Sequence, residues 1–227
     1  MTQGNSDTLV TVIIPCYNYG KYLPDAIGSV ISQTLKNVKI IVVNDGSDDQ
    51  TTLDVLQTVE HSPLVRVIHQ KNSKTSAARN TGISEATSKY VCCLDADDCF
   101  TPDYLEKCIR RLEMGEISIC GSWQRNFGLE DSVVVPDPFT LEGILFSNRM
   151  IYSAVFRRSL WEQIGGYDET MRDGYEDWEF WIRAAAIGAK VSVIPEPLFL
   201  YRKHGRSRMD DALEHHEAII RYIQTKH

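Results

Sequence analysis

Tyr90-Val91-Cys92-Cys93-Leu94-Asp95-Ala96-Asp97-Asp98 sets three carboxylates at the end of an unbroken apolar run. Such a run reads as a strand buried on both faces, and strands of that kind belong to parallel sheets wrapped by helices. Ligands of open α/β sheets bind outside the carboxyl ends of the strands. Crowding Asp95, Asp97 and Asp98 there costs repulsion unless a cation is present. Hard oxygen ligands favour Mg²⁺ or Mn²⁺, with coordination sites left over for phosphate and water. The alternative is a solvated acidic turn that caps the next helix, a reading that suits Asp98 better than its two neighbours. Thr101-Pro102 then opens that helix, with proline at its first position.

Outward from this strand the first half repeats one pattern. Residues 10–14 form a β-branched run ended by Pro15, and Leu23, Ala26, Ile27, Val30 and Ile31 follow at helical spacing. Residues 38–43 and 64–68 read as further strands. Between them Asp49 or Thr51 caps a helix carrying Leu53, Leu56 and Val59. A helix over residues 75–86 crosses to the strand at 90–94, and another runs from Thr101 to about residue 113.

The second half is less regular. Strands are expected at 117–123, 132–135, 151–156, 190–194 and 198–201, and helices at 140–147, 158–164 and 176–187. Gly165-Gly166 breaks the middle helix, and Leu213, Ile220 and Ile223 define a tail helix. The expected organisation is one α/β domain with a mostly parallel sheet flanked by helices. A flexible N-terminus takes 1–8, the domain 9–208 (halves 9–100 and 101–208), and a C-terminal helix 209–227.

Composition narrows the function. The 227 residues are 43% hydrophobic and 24% charged, with a formal net charge of −7, so long-range fields do not draw nucleic acid. The six cysteines form no C-x-x-C pair, which favours a reducing compartment over a zinc or disulfide framework. No signal pattern and no apolar stretch of spanning length is seen. The expected location is cytoplasmic. Peripheral contact with the inner face of a membrane stays open, as does a homo-oligomer.

Two more strand ends resemble ligand contacts. Asp45, in VNDGS (43–47), follows a buried strand and can accept a hydrogen bond from a base imide, although Asn-Asp-Gly also marks hairpins. Tyr17, after Pro15, can stack on a base or simply pack against the first helix.

Together these segments resemble glycosyltransferase family 2, the inverting enzymes of GT-A fold. The resemblance rests on VIIPCYN (12–18), VNDGS (43–47), ARNTGI (78–83), LDADD (94–98), GGYDE (165–169), GYEDWEFW (174–181) and YRKH (201–204), in the family's order. Asn44 departs from the aspartate of many relatives, and Asn72-Ser73 lacks their glycine. The resemblance implies a nucleotide site from Pro15, Tyr17, Asn18, Asp45, Arg79, Asp95 and Ala96. It implies Mn²⁺ or Mg²⁺ on Asp97, with His204 as a further metal or diphosphate contact. Asp177 is implied as general base, with Glu176 and Trp178 on the sugar side.

The surrounding residues admit other roles. Trp178 and Trp181 can raise the carboxylate pKa or form a sugar platform, while Glu179 and Arg183 pair at i,i+4. Lys203, Arg206 and Arg208, with Gly205 as hinge, make a basic loop that can close over a diphosphate or simply be solvated. His215 and His216 read as surface residues. The expected reaction moves a sugar from a nucleotide-diphospho-sugar, UDP first, to a hydroxyl of a saccharide or glycolipid. A sugar-phosphate nucleotidyltransferase would need a Gly-rich loop after its first strand, and Pro15 to Asn18 is not one. A non-catalytic nucleotide-sugar or carbohydrate-binding module is the alternative of another class.

Overall fold

The computed structural model describes residues 8–205 and 214–227. Four parallel strands build the first half: β1 (Val10–Cys16), β2 (Val38–Asn44), β3 (Val65–His69) and β4 (Tyr90–Cys93), ordered β3-β2-β1-β4. Side chains alternate between faces along a strand, and residues 10–14 are all buried, so helices cover both faces of β1. Those connecting the four strands are α1 (Leu23–Ile31), α2 (Gln50–Val59) and α3 (Lys74–Ser84). Asp49 caps α2 by accepting from Thr52 N at 2.8 Å. Leu56 lies in the core, whereas Leu53 and Ile31 are exposed.

Strand β1 continues through Pro15 to Cys16 rather than stopping at the proline. β4 pairs only as far as Ile13, so Pro15 lies beyond that ladder and its missing N–H breaks no bond there. α3 packs unusually close to the sheet at Gly82. A Cβ there would lie 2.4 Å from Ile13 Cγ2 and 3.2 Å from Val43 Cγ2. The glycine of ARNTGI is therefore a packing requirement of the α3–sheet contact.

The second half adds β5 (Cys99–Phe100), α4 (Tyr104–Glu113), β6 (Ile117–Gly128), β7 (Ser132–Val134), α5 (Leu141–Phe146), β8 (Val155–Arg157), α6 (Arg158–Ile164), α7 (Glu176–Ala186) and β9 (Lys190–Lys203). Among the described residues the whole sheet has nine strands, continuing β4-β8-β6-β9-β5 with β7 beside β6. It is parallel through β4 and mixed beyond, since β8 is antiparallel to both β4 and β6 while β6 and β9 run parallel.

Three boundaries differ from expectation for visible reasons. β5 pairs with β9 and keeps Thr101 extended, its N–H bonded to Leu198 O at 2.9 Å, so α4 begins at Tyr104 instead of Thr101. Only residues 155 and 156 of the apolar run 151–156 reach the ladder, because residues 152 and 153 form a turn, and the strand ends at Arg157. The two strands expected at 190–194 and 198–201 are one, with register shifts against β6 near Pro197.

The tail forms α8 (His216–Lys226), which buries Ile219 and Ile223. Leu213, Arg206 and Arg208, most of the expected N-terminal tail and the first residues of the 209–227 helix lie outside the described residues. Among those described, no helix is long and apolar enough to cross a membrane.

Candidate active site

A cleft of about 580 Å³ opens at the carboxyl ends of β1, β2 and β4 and extends across to the start of α7. Its walls include Pro15, Tyr17, Asp45, Arg79, Asp95, Ala96, Asp97, Glu176 and Asp177, so residues from both halves of the chain meet in one space. Tyr17 is 44% exposed, which leaves its ring available to a ligand. Asn18 lies outside this wall. In left-handed backbone (φ 57°), it ties the β1–α1 loop to the β2–α2 loop by donating to Asp48 Oδ1 at 2.7 Å and accepting from Asp48 N at 3.0 Å.

Asp45 is buried and accepts three hydrogen bonds: from Gln70 Nε2 and Ser73 N at 2.8 Å, and from Lys74 N at 2.9 Å. It therefore shapes the loop before α3 and the first residue of that helix, Lys74, which takes φ 74°. A carboxylate has about four acceptor positions, so one remains for a base imide.

Arg79 joins the halves. The fully buried guanidinium donates from Nη2 to Asp95 Oδ1 at 3.0 Å and from Nη1 to Glu176 Oε1 at 2.9 Å, and it sits 5.1 Å from the Tyr152 ring centroid. Burial works against its charge, but Asp95 and Glu176 more than offset this and hold its pKa above the usual value. Asn80 does the same work one residue on. Its amide donates to Tyr167 O and Glu169 Oε1, both at 2.9 Å, and accepts from Tyr167 N at 2.8 Å.

The acidic turn separates into three roles. Asp95, with its side chain 35% exposed, faces the cleft. The Asp97 carboxyl lies with Oδ2 2.8 Å from His204 Nε2, and the His204 ring stacks on Tyr22 at 4.7 Å. Burial first and the charge of Asp95 second push the Asp97 pKa up, against the pull of His204. Asp98 is no solvated helix cap. It is 1% exposed and accepts from Tyr152 Oη at 2.5 Å and from Arg202 N at 2.7 Å, which fastens the end of β9 beside the turn and sets His204 against Asp97. Burial drives its pKa well above the carboxylate range.

Asp177 is half-buried in the first turn of α7, where Asn148 Nδ2 donates to its Oδ2 at 2.7 Å. Loss of hydration first and Glu176 second push its pKa up to about 6, opposed by Arg79 and Asn148. The tryptophans are not a sugar platform. Trp178 is buried behind the wall, its Nε1 donating to Ile144 O at 2.5 Å, and Trp181 is fully buried against Phe156 and Phe180. Glu179 and Arg183 do pair, at 2.6 Å, yet Glu179 is wholly buried and also meets Lys226 at 2.7 Å.

Tyr19, Lys74, Tyr152, Arg172, Tyr175 and Tyr201 also line the cleft and were not singled out from sequence. Isolated aromatics and cations at element ends and in loops carry no periodic signal, so only the fold brings them in. His215 is exposed but borders the cleft, and His216 Nδ1 lies 3.1 Å from Tyr175 Oη.

The sequence model of Glycosyl transferase family 2 matches residues 11–173. The chain belongs to this family, and its fold is GT-A. It is similar to an uncharacterized glycosyltransferase of Bacillus subtilis, EpsJ, with 29% identity over 215 residues, 88% of this chain and 62% of EpsJ. It is also similar to the hyaluronan synthase of Pasteurella multocida, with 25% identity over 190 residues, 81% of this chain and 19% of the synthase. The chain thus spans about three fifths of EpsJ and a smaller share of the synthase. Among solved structures, S. aureus TarS 1–349 in complex with UDP-GlcNAc shares the fold, with TM-score 0.76 and 20% identity over 88% of this chain and 60% of TarS.

Proposed function

We propose that this chain is an inverting, metal-dependent glycosyltransferase that moves a sugar from a UDP-sugar to a hydroxyl of a saccharide or glycolipid. The carrying observation is the Arg79 bridge, which holds the Asp95 side of the cleft and the Glu176-Asp177 side in one space. TarS, which shares this fold, has been solved with UDP and with UDP-GlcNAc, which favours a uridine nucleotide here.

In this reading Tyr17 and Asp45 hold the base and Asp95 the ribose side. Asp177 takes the proton of the acceptor hydroxyl as that oxygen bonds to the anomeric carbon. The bond from that carbon to the diphosphate breaks on the opposite face, UDP leaves, and the anomeric configuration inverts. A carboxylate with a pKa near 6 is ionised at neutral pH yet basic enough to assist, and such catalysis contributes roughly 10²–10⁴-fold. Asp97 and His204 suit Mg²⁺ or Mn²⁺. Asp97 lines the cleft with His204 adjoining it, and Mg²⁺ is commonly held by one or two carboxylates plus substrate phosphates, so Asp97 would be the main protein ligand. When bound, the ion would neutralise charge building on the departing diphosphate.

The test is a panel of UDP-, GDP- and dTDP-sugars with and without Mn²⁺, followed by thermal shift and by release of nucleotide. Asp177→Asn should keep UDP binding and lose about 10²-fold or more of turnover. Unchanged turnover, or retention of configuration in the product, sinks the assignment of Asp177.

A further inference from the structure

We infer that Asn148 is a positioning residue for the base, a reading that rests on the role proposed for Asp177. Asn148 is not a cleft residue by sequence motif; it follows α5 in an irregular segment. Two bonds fix its side chain. Nδ2 donates to Asp177 Oδ2 at 2.7 Å, and Oδ1 accepts from Met150 N at 3.2 Å. With the oxygen spoken for by a backbone amide, the amide group presents its NH₂ side to Asp177 and cannot flip without losing that bond. The helix before it, α5, is docked on α7, because Trp178 Nε1 donates to the carbonyl of Ile144 and the Ile144 side chain is fully buried.

The geometry gives Asn148 two effects. Its bond to Oδ2 fixes the orientation of the carboxyl group, and so positions the base for an acceptor hydroxyl. It also donates to the ionised form, which resists protonation of a carboxylate that its surroundings otherwise push toward neutrality. The charged and titratable groups around Asp177 are Glu176 on its own helix, Arg79 on α3, Tyr167 before α7 and Tyr175 at the start of α7. Glu176 and Arg79 are bonded to one another, and the neutral donors that tune the base are the Trp178 backbone N–H and the Asn148 side chain, of which Asn148 is the one a substitution can remove. An amide does this without adding a cation that would hold the carboxylate permanently ionised.

The test uses the full chain with ¹³C-labelled aspartate, reading the titration of the Asp177 carboxyl by NMR and assigning it with Asp177→Asn. Asn148→Ala should move that titration up by about half to one pH unit, and Asn148→Asp further, because a second carboxylate adds repulsion. In parallel, the pH profile of UDP release from UDP-GlcNAc should move the same way, with UDP affinity unchanged in calorimetry. If Asn148→Ala lowers the melting temperature but leaves the Asp177 titration in place, Asn148 is merely structural and the inference fails. If the titration moves while Asp177→Asn keeps full turnover, it is the base assignment that fails instead.

Discussion

Replacing Arg79 with methionine tests whether the two halves are held together by a buried charge. The Arg79 and Glu176 side chains are 2% and 6% exposed, so the variant takes the guanidinium from a carboxylate with little access to water. Breaking such a pair from one side costs about 3–5 kcal/mol. Asp95 is 35% exposed and can be rehydrated, so its lost contact adds little. The guanidinium also lies 5.1 and 5.5 Å from the Tyr152 and Tyr167 centroids, worth roughly 0.5–2 kcal/mol. Arg79→Met should therefore cost about 4–6 kcal/mol in equilibrium urea unfolding, a large part of the stability of an ordinary domain. The double variant Arg79→Met/Glu176→Gln removes both charges and should recover about half of that loss. A single-variant cost below about 1 kcal/mol, or a double variant no better than the single, refutes the bridge as the link between halves.

Three further outcomes follow from the same contacts. Gly82→Ala should destabilise by about 1–3 kcal/mol in urea despite alanine's better helix propensity, because its Cβ would meet Ile13 at 2.4 Å. Tyr152→Phe leaves buried Asp98 without its hydroxyl donor, and should cost about 1.5–3 kcal/mol in urea and weaken Mn²⁺-dependent UDP binding in calorimetry through the Asp97–His204 placement. Because the Asp177 pKa is raised from 3.8 to about 6, folding favours its protonated form. Its contribution is thus fully present below pH 3.8 and lost as pH rises through about 6. Asp177→Asn should accordingly gain melting temperature over the unaltered protein between pH 4 and pH 7, and an unchanged difference would show that Asp177 is not perturbed.

The parallel half was legible because strands buried on both faces leave no polar positions to confuse the pattern, as residues 10–14 and 90–94 show. β6 outran its expected end at Trp123 because Gln124 to Asn126 look like loop residues. In the fold they pair with β7 on one side and β9 on the other, and buried Asn126 donates to Glu130 and Ser132. The site divided the same way. Asp97, His204 and Asp177 stand out in the sequence as candidates, whereas the burial of Asp98 and of Trp178 does not. Neighbouring carboxylates look alike in sequence, and Asp98, which also borders the cleft, differs from Asp97 in being buried and bonded to Tyr152 Oη and Arg202 N.

That last distinction explains why the motifs keep company. Arg79 and Asn80 are neighbours on α3, yet one grips Glu176 of the GYEDWEFW segment and the other Tyr167 and Glu169 of the GGYDE segment. Asp98 in turn grips Arg202 of YRKH, two residues before His204. The ARNTGI and LDADD motifs of the first half thus each line the cleft and also anchor motifs of the second half. Those anchors set Asp177 in the cleft wall and His204 behind it against Asp97. Loss of Asn80 should therefore resemble loss of a site residue without touching ligand. Asn80→Ala removes two donated bonds and leaves Tyr167 N and Trp161 Nε1 unpaired, about 2–4 kcal/mol together. It should also loosen residues 167–177 in hydrogen exchange while leaving β1 and β2 protected. Uniform loss of protection across both halves would mean that Asn80 only stabilises the fold, and the pairing of motifs would then carry no information about the site.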